Sequence, residues 1–276
     1  MDRLFILPFD HRSTFAEKLL GFKYPVKTAA QLREVSKMKS VVFDGFMLAH
    51  NQYEHSEDMG ILIDEEFGSH VIKACQKQMI PFAMSVEQSG QLFFQFKYGN
   101  GFGKHLKEMK PTYAKALVRY DVSQKEANKI QNARLKRLND WCKNHDQKWL
   151  NEPLMTGKGS RFKQMRKAII EMKKAGSDPD VWKLEGLPYA KQWKEIYKVA
   201  KSDLVILGRG ASKAKVEDWI IAAAKSGVVS GFAIGRTIFY KPLEQFKDKK
   251  ITRKQAVEKI AKNYLYFIKL WEKHEA

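Results

Sequence analysis

Short apolar runs rich in β-branched and aromatic residues alternate along the chain with longer segments of helical periodicity. We predict eight strands from these runs: Leu4–Phe9, Val41–Phe46, Ile80–Val86, Tyr113–Val118, Trp149–Pro153, Val181–Leu184, Leu204–Leu207 and Val228–Ile234. Apolar residues at steps of three or four predict helices over 64–78, 123–145, 160–175, 188–201, 212–226 and 252–273. Strands that alternate with helices are typical of parallel βαβ units.

Eight such units in 276 residues match the size and repeat number of a TIM (β/α)8 barrel of the α/β class. A doubly wound open sheet is the alternative, but no GxGxxG turn follows the first predicted strand to favour it. Because no linker rich in Pro, Ser or Gly divides the chain, we expect residues 1–276 to form a single domain.

Ionisable residues stand at or just beyond the carboxyl end of nearly every predicted strand. In chain order they are Asp10, Asp44, Glu87, Arg119, Glu152, Lys183, Arg209 and Arg236. Charges often flank buried strands only to mark the turn into solvent, but the carboxyl ends of TIM-barrel strands also form the active site. Arg12 adds a further cation beside Asp10, and the planar fork of arginine suits phosphate or carboxylate. The set as a whole predicts an anion-binding site.

Lys183 lies inside a predicted strand, between Trp182 and Leu184, where a solvated lysine is unusual. Glu185 would share its face of the strand, since side chains alternate. Burial and neighbouring cations destabilise the charged form of an amine and lower its pKa, and a neutral amine can form a Schiff base with a ketone. The competing interpretation is a lysine that only pairs with a core carboxylate.

Two more residues fit Schiff-base chemistry. Lys115 lies in the fourth predicted strand and would add positive charge near Lys183 if its face points inward. Glu152 follows the fifth and is suited to shuttle protons, or simply to hold the lysines in place.

Glycine-rich turns follow the last two strands. Gly208 and Gly210 flank Arg209, and Gly235 precedes Arg236. Glycine lets backbone amides approach a phosphate closely, and many TIM barrels hold phosphate after strands seven and eight. These turns predict the phosphate end of the site.

The formal net charge of +19 raises the possibility of a nucleic-acid partner. The lysines are spread along helices with Asp and Glu interspersed, however, and no basic stripe carries stacking aromatic residues, so we expect no nucleic acid. No apolar run approaches the length of a membrane span and no secretory signal is recognisable, so we expect no membrane partner and a cytoplasmic location.

The metal-ligating residue types are scattered. Cys75 and Cys142 form no CxxC pair and support neither a disulfide framework nor a zinc site. His11 and His50 lack a convergent third ligand. We therefore predict neither a metal nor a cofactor.

Several segments together carry a resemblance that extends over almost the whole chain: PFDHRSTF, VEQSGQLFF, YGNGFGKHL, ALVRYD, RLKRLNDW, PDVWKLEGL, LGRGA, KVEDWI and GFAIGRTIF. They resemble the aldolase-like domain at the C-terminus of bacterial 5-dehydro-2-deoxygluconokinase fusions, which is similar to class I tagatose-1,6-bisphosphate aldolases. The resemblance implies a TIM barrel with the Schiff-base lysine at Lys183, a second lysine at Lys115, a catalytic carboxylate at Glu152 and the substrate phosphate at Gly208–Gly210 and Gly235–Arg236. Any sugar-kinase partner would then be a separate chain, and a homo-oligomer is left open.

We therefore predict a metal-independent class I aldolase acting on a phosphorylated keto-sugar. The resemblance points to cleavage of 2-deoxy-5-keto-gluconate 6-phosphate, in inositol catabolism, into dihydroxyacetone phosphate and malonate semialdehyde. Asp10, Asp44 and Glu87 would contact sugar hydroxyls, and Arg209 and Arg236 would bind the phosphate. The alternatives are a tagatose-, fructose-bisphosphate or sulfosugar-phosphate aldolase, and a sugar-phosphate-binding barrel without chemistry.

Overall fold

Eight parallel strands close into a barrel in the order of the chain, in a computed structural model that describes residues 2–276. The strands are β1 (Leu4–Pro8), β2 (Met59–Ile63), β3 (Phe82–Ser85), β4 (Tyr113–Tyr120), β5 (Trp149–Met155), β6 (Val181–Glu185), β7 (Asp203–Leu207) and β8 (Gly231–Ala233). Pairing of β1 with β8, with Leu4 opposite Gly231, completes the ring. The predicted TIM barrel is confirmed.

Helices cover the outside of the barrel. They are α1 (Ala29–His50), α2 (Glu65–Gln78), α3 (Phe102–Met109), α4 (Lys125–Asn144), α5 (Arg161–Lys174), α6 (Ala190–Ala200), α7 (Lys213–Ala224), α8 (Arg236–Lys247) and α9 (Arg253–His274). Side-chain caps fix several helix starts: Thr252 forms a capping box with Gln255, and Asp64 accepts from the Phe67 amide. Within residues 2–276, no helix combines the length and apolar character needed to cross a bilayer.

The strand predicted at Val41–Phe46 is wrong. These residues lie in the middle of α1, and the second strand is the five-residue run Met59–Ile63. Helix α1 packs against α9, α2 and α8, and Val41, Val42 and Phe46 are all fully buried. A helix covered on more than one side loses its polar face, and a short apolar run within it then looks like a buried strand.

The correction of the second strand also changes the position of Asp44. It lies on the outer side of α1 and forms an ion pair with Arg253 of α9. Its predicted place at a strand end, beside the sugar hydroxyls, is therefore wrong. The acidic residue that does follow β2 is Asp64.

The barrel interior has an apolar layer and a charged layer. The apolar layer is formed by Ile6, Leu62, Ala83, Leu150, Val181, Val205 and Ala233. Glu152 follows Leu150 by two residues and Lys183 follows Val181 by two, so each lies on the same strand face and nearer the carboxyl end. The charged side chains therefore lie nearer the carboxyl ends of the strands than the apolar layer, which fills the barrel beneath them.

A buried ion pair joins α1 to the ends of β1 and β2. Lys39 of α1 and Asp64 are fully buried and in contact, and the Lys39 ammonium also donates to the Phe9 carbonyl oxygen at 2.7 Å. The ammonium lies 4.8 Å from the centre of the Phe15 ring. These contacts fix the backbone immediately before Asp10.

We expect Lys39→Met to lower the free energy of unfolding by about 3–5 kcal/mol, because it leaves Asp64 buried without its main partner. Urea unfolding measures this change. Lys37→Met, on the exposed side of the same helix, is the control and should cost less than about 1 kcal/mol. Equal effects of the two substitutions would contradict a structural role for the buried pair.

Candidate active site

The Lys115 ammonium lies at the centre of the charged layer, in contact with three carboxylates. Its Nζ is 2.7 Å from Glu87 Oε1, 3.1 Å from Asp10 Oδ2 and 3.1 Å from Glu152 Oε2. These acids follow β1 and β3 and lie within β5, while Lys115 lies in β4. The ammonium therefore links residues from four parts of the barrel wall.

The charges in this layer stabilise one another. Burial alone would lower the pKa of Lys115, but Asp10, Glu87 and Glu152 raise it well above its usual value. Burial would raise the pKa of Glu152, but Lys183 and Lys115 outweigh that effect and lower it. The pKa of Asp10 is also held well below its ordinary range, since Lys115, His11 and Lys183 together outweigh burial. At neutral pH Lys115 is an ammonium, and Asp10 and Glu152 are carboxylates.

Lys183 shares one carboxylate oxygen with Lys115. Its Nζ is 3.1 Å from Glu152 Oε2, which is also 3.1 Å from Lys115 Nζ. Lys183 lines a cavity of about 140 Å³ that opens at the carboxyl ends of the strands. The Lys183 amine therefore faces the cavity and is in contact with a proton acceptor, Glu152. Glu152 also contacts Lys115, whose ammonium is bound by two further carboxylates.

The turns after β7 and β8 form another wall of the cavity. Gly208, Arg209, Gly210, Gly235 and Arg236 all line it. Gly210 has φ of +76°, and a Cβ there would lie 3.0 Å from the Arg236 guanidinium carbon. A Cβ on Gly235 would lie 2.0 Å from the Pro8 carbonyl oxygen, so glycine is required for this turn to pack against β1.

Arg236 is the cation of this wall that has no acid to bind. Within residues 2–276, no carboxylate oxygen lies within 4.0 Å of its guanidinium. Burial lowers the pKa of Arg236, with Glu152 and Asp10 opposing the effect from a distance. A half-buried cation without a partner at a glycine-rich turn is suited to bind an anionic ligand.

Arg209, unlike Arg236, is paired with an acid of the protein. Its Nη1 lies 2.7 Å from both oxygens of Glu185, whose Oε2 is also 3.0 Å from Arg161 Nε. Glu185 also accepts from the Met155 amide at 3.1 Å. Glu185 therefore does not face the cavity, and it holds Arg209 at the edge between this cavity and a wider one beside α5 and α7.

A profile of the family described as "Uncharacterized protein conserved in bacteria (DUF2090)" matches residues 1–275. The chain belongs to the DUF2090 family. A search of curated proteins found no match.

Two solved structures show the same fold as this DUF2090 protein. One is fructose-bisphosphate aldolase from Plasmodium falciparum, with 12% identity and a TM-score of 0.72 over 100% of this chain and 92% of that chain. The other is Cgl0159 from Corynebacterium glutamicum, with 15% identity and a TM-score of 0.64 over 96% and 86%. At these identities the likeness establishes a shared barrel fold.

The remaining predicted site residues of the DUF2090 barrel lie outside the cavity that Lys183 lines. Arg12 is buried between Asp64, at 3.7 Å, and Glu66, at 3.4 Å. Arg119 donates to the Gln91 carbonyl oxygen at 2.8 Å and, with Glu87, lines a second, smaller cavity. Neither arginine belongs to the wall that carries Arg236.

Sequence reasoning missed one polar residue of the cavity that Lys183 lines. His11 follows β1 and lines the cavity with Lys183, Glu152 and Arg236, but we considered it only as a metal ligand. Among residues 2–276, no group of three or more His, Cys, Asp or Glu side chains is arranged to hold a metal ion. The signal that was available is its position, directly after Asp10 at a strand end.

We expect Lys115→Met to destabilise the protein in a pH-dependent way. The carboxylates Asp10 and Glu152 have folded-state pKa values below their unfolded ones, so they stabilise the fold above about pH 4. Without Lys115, burial raises the folded-state pKa values of the two carboxyl groups above their unfolded values. The folded variant then binds more protons than the unfolded chain, so its stability increases between pH 7 and about pH 4.5. Urea unfolding should show a loss of about 3–5 kcal/mol at pH 7 that shrinks toward pH 4.5.

The control for this series is Lys104→Met, since Lys104 is 86% exposed. It should change stability by less than about 1 kcal/mol at either pH. A loss for Lys115→Met that stays constant or grows as the pH falls would contradict the charge arrangement described above.

Proposed function

We propose that this protein is a class I aldolase that cleaves a phosphorylated keto-sugar through a Schiff base on Lys183. The observation that carries the proposal is the contact between Lys183 and Glu152 in a cavity that the unpaired Arg236 also lines. A nucleophilic amine, a proton carrier in contact with it and an anion-binding turn are the three groups that such a reaction requires.

The reaction begins with transfer of a proton from Lys183 to Glu152 across 3.1 Å. The neutral amine attacks the ketone carbon, and Glu152 returns the proton to the oxygen to give a carbinolamine. Glu152 then takes a second proton from the nitrogen that attacked and delivers it to this oxygen, which leaves as water and produces an iminium ion. Lys115 keeps Glu152 close to Lys183 throughout, because its own ammonium is bound by Asp10 and Glu87 as well.

Carbon–carbon cleavage then uses the iminium as the electron acceptor. A carboxylate takes the proton of the hydroxyl group on the far side of the bond, the O–H electrons form an aldehyde, and the electrons of the broken bond produce an enamine on Lys183. Protonation of the enamine carbon and addition of water release the three-carbon ketone phosphate and restore the amine. The ammonium of Lys115 and the guanidinium of Arg236 offset the negative charges of the carboxylates and the phosphate.

For the substrate, the resemblance of the sequence supports 2-deoxy-5-keto-gluconate 6-phosphate, which gives dihydroxyacetone phosphate and malonate semialdehyde. The unpaired Arg236 and the adjoining glycine turn support a phosphate at the ketone end. A panel of ketose phosphates and bisphosphates, scored by released dihydroxyacetone phosphate, distinguishes this substrate from tagatose or fructose bisphosphate and from sulfosugar phosphates.

Borohydride reduction in the presence of dihydroxyacetone phosphate should leave one covalent adduct, located on Lys183 by peptide mass spectrometry. Lys183→Met should abolish the adduct, while Lys194→Met, at an exposed position of α6, should leave it unchanged. Absence of an adduct in the natural protein, or an adduct that persists in Lys183→Met, would exclude this mechanism.

Arg236→Met should raise the concentration of dihydroxyacetone phosphate that half-saturates trapping by about 10- to 100-fold. The reason is the loss of charge-assisted hydrogen bonds of about 1.5–3 kcal/mol to the phosphate. Arg253→Met, which breaks the outer pair with Asp44, is the matched control and should not alter trapping. If both variants are half-saturated at the same concentration as the natural protein, the phosphate is bound elsewhere.

A further inference from the structure

His11 is a polar residue of this cavity that takes no part in the proposed mechanism. It lines the cavity together with Lys183, Glu152 and Arg236. Its ring packs edge-on against Phe239 of α8, with 6.3 Å between ring centres. The contact with Phe239 therefore holds the His11 ring in the lining of the cavity.

The two ring nitrogens of His11 have different surroundings. Nδ1 is buried, has no hydrogen-bond partner among residues 2–276, and lies 3.9 Å from Asp10 Oδ1. A buried polar atom without a partner is costly, and a small rotation would give Nδ1–H the Asp10 carboxylate as its acceptor. The carboxylate therefore favours the tautomer protonated at Nδ1, which leaves a lone pair on Nε2 at the other edge of the ring.

His11 is neutral at neutral pH. Burial lowers its pKa to about 4, and Arg236 and Lys183 act in the same direction, while Asp10 and Glu152 oppose them. A neutral imidazole with an accepting Nε2 is a poor partner for a phosphate dianion. It is a good partner for a hydroxyl group, which can donate to it.

Each of the other polar groups of the cavity is either paired within the protein or suited to another part of the ligand. In a three-carbon ketone phosphate, the phosphate falls to Arg236 and the adjoining turn, with Thr237 beside it, and the ketone carbon falls to Lys183. Arg209 is bound by Glu185. The free hydroxyl group of the three-carbon ketone phosphate is then the one ligand group without a partner, and His11 is the cavity residue available to bind it.

We propose that His11 is a specificity-determining residue whose Nε2 accepts a hydrogen bond from the free hydroxyl group of the three-carbon ketone phosphate, with Asp10 holding the ring. The inference rests on the proposed Schiff-base function. It makes the site selective for a ketone that is hydroxylated on the carbon to be joined or cleaved, over the same ketone with a methyl group there.

The test compares two ketones in borohydride trapping: dihydroxyacetone phosphate, and hydroxyacetone phosphate, in which a methyl group replaces the free hydroxymethyl group. Half-saturating concentrations are measured for the natural protein, His11→Phe and His11→Gln, with His55→Phe as an exposed histidine control. The intrinsic reactivity of the two ketones differs, but this difference is common to all variants and cancels when their selectivity ratios are compared.

We expect His11→Phe to reduce the selectivity for dihydroxyacetone phosphate by about 10-fold, the loss of one hydrogen bond to the hydroxyl group. Its half-saturation by hydroxyacetone phosphate should stay within about twofold of the natural value. His11→Gln retains an acceptor oxygen and should keep part of the selectivity, which covers the case in which the phenylalanine variant does not fold. His55→Phe should behave as the natural protein.

Two results would overturn the inference. An unchanged selectivity ratio in both His11 variants means that the hydroxyl group is bound elsewhere. An equal loss of affinity for both ketones means that His11 acts on the phosphate or on the fold. Failure of the natural protein to trap either ketone is a separate result, since it removes the Schiff-base function itself.

Discussion

The burial of one ammonium group among three carboxylates is the constraint on which the arrangement of this barrel depends. Lys115 is 1% exposed, and neither it nor its partners could be buried alone without a large desolvation cost. Asp10, Glu87 and Glu152 must therefore all reach the same point from different strands. The strand positions that achieve this also bring Lys183 within 3.1 Å of Glu152.

This arrangement gives Lys115 and Lys183 different surroundings. Lys115 has three acidic neighbours and is committed to holding them, whereas Lys183 has one, which it shares, and opens to the cavity. The apolar layer beneath them closes the other end of the barrel, so a ligand can enter only from the carboxyl ends of the strands. The net charge of +19 belongs mostly to the outer helices, where it can raise the local concentration of any anionic ligand.

The periodicity of the chain was sufficient to predict the barrel, and seven of the eight predicted strands coincide with observed strands. The second failed because α1 is covered by α9, α2 and α8, which removes the polar face that identifies a helix. Alternation along β4, β5 and β6 was enough to indicate that Lys115, Glu152 and Lys183 could share the interior. Alternation does not give the direction of a long side chain, however, so the turn of Arg209 toward Glu185 and the pairing of Arg12 with Asp64 could not be foreseen. His11 needed three-dimensional information, since its significance lies in a nitrogen that no neighbour satisfies.

The spread of the Lys115 partners along the chain also bears on how the barrel folds. Asp10 and Glu87 precede Lys115, while Glu152 and the strand that closes the ring onto β1 follow it. A half-barrel built from β1–β4 would have to bury the ammonium without Glu152 or leave its mouth hydrated, and neither state is as stable as the complete ring. We therefore expect partly closed intermediates to be disfavoured, so that ring closure and dehydration of the charged layer form one late, cooperative event dominated by contacts between distant parts of the chain.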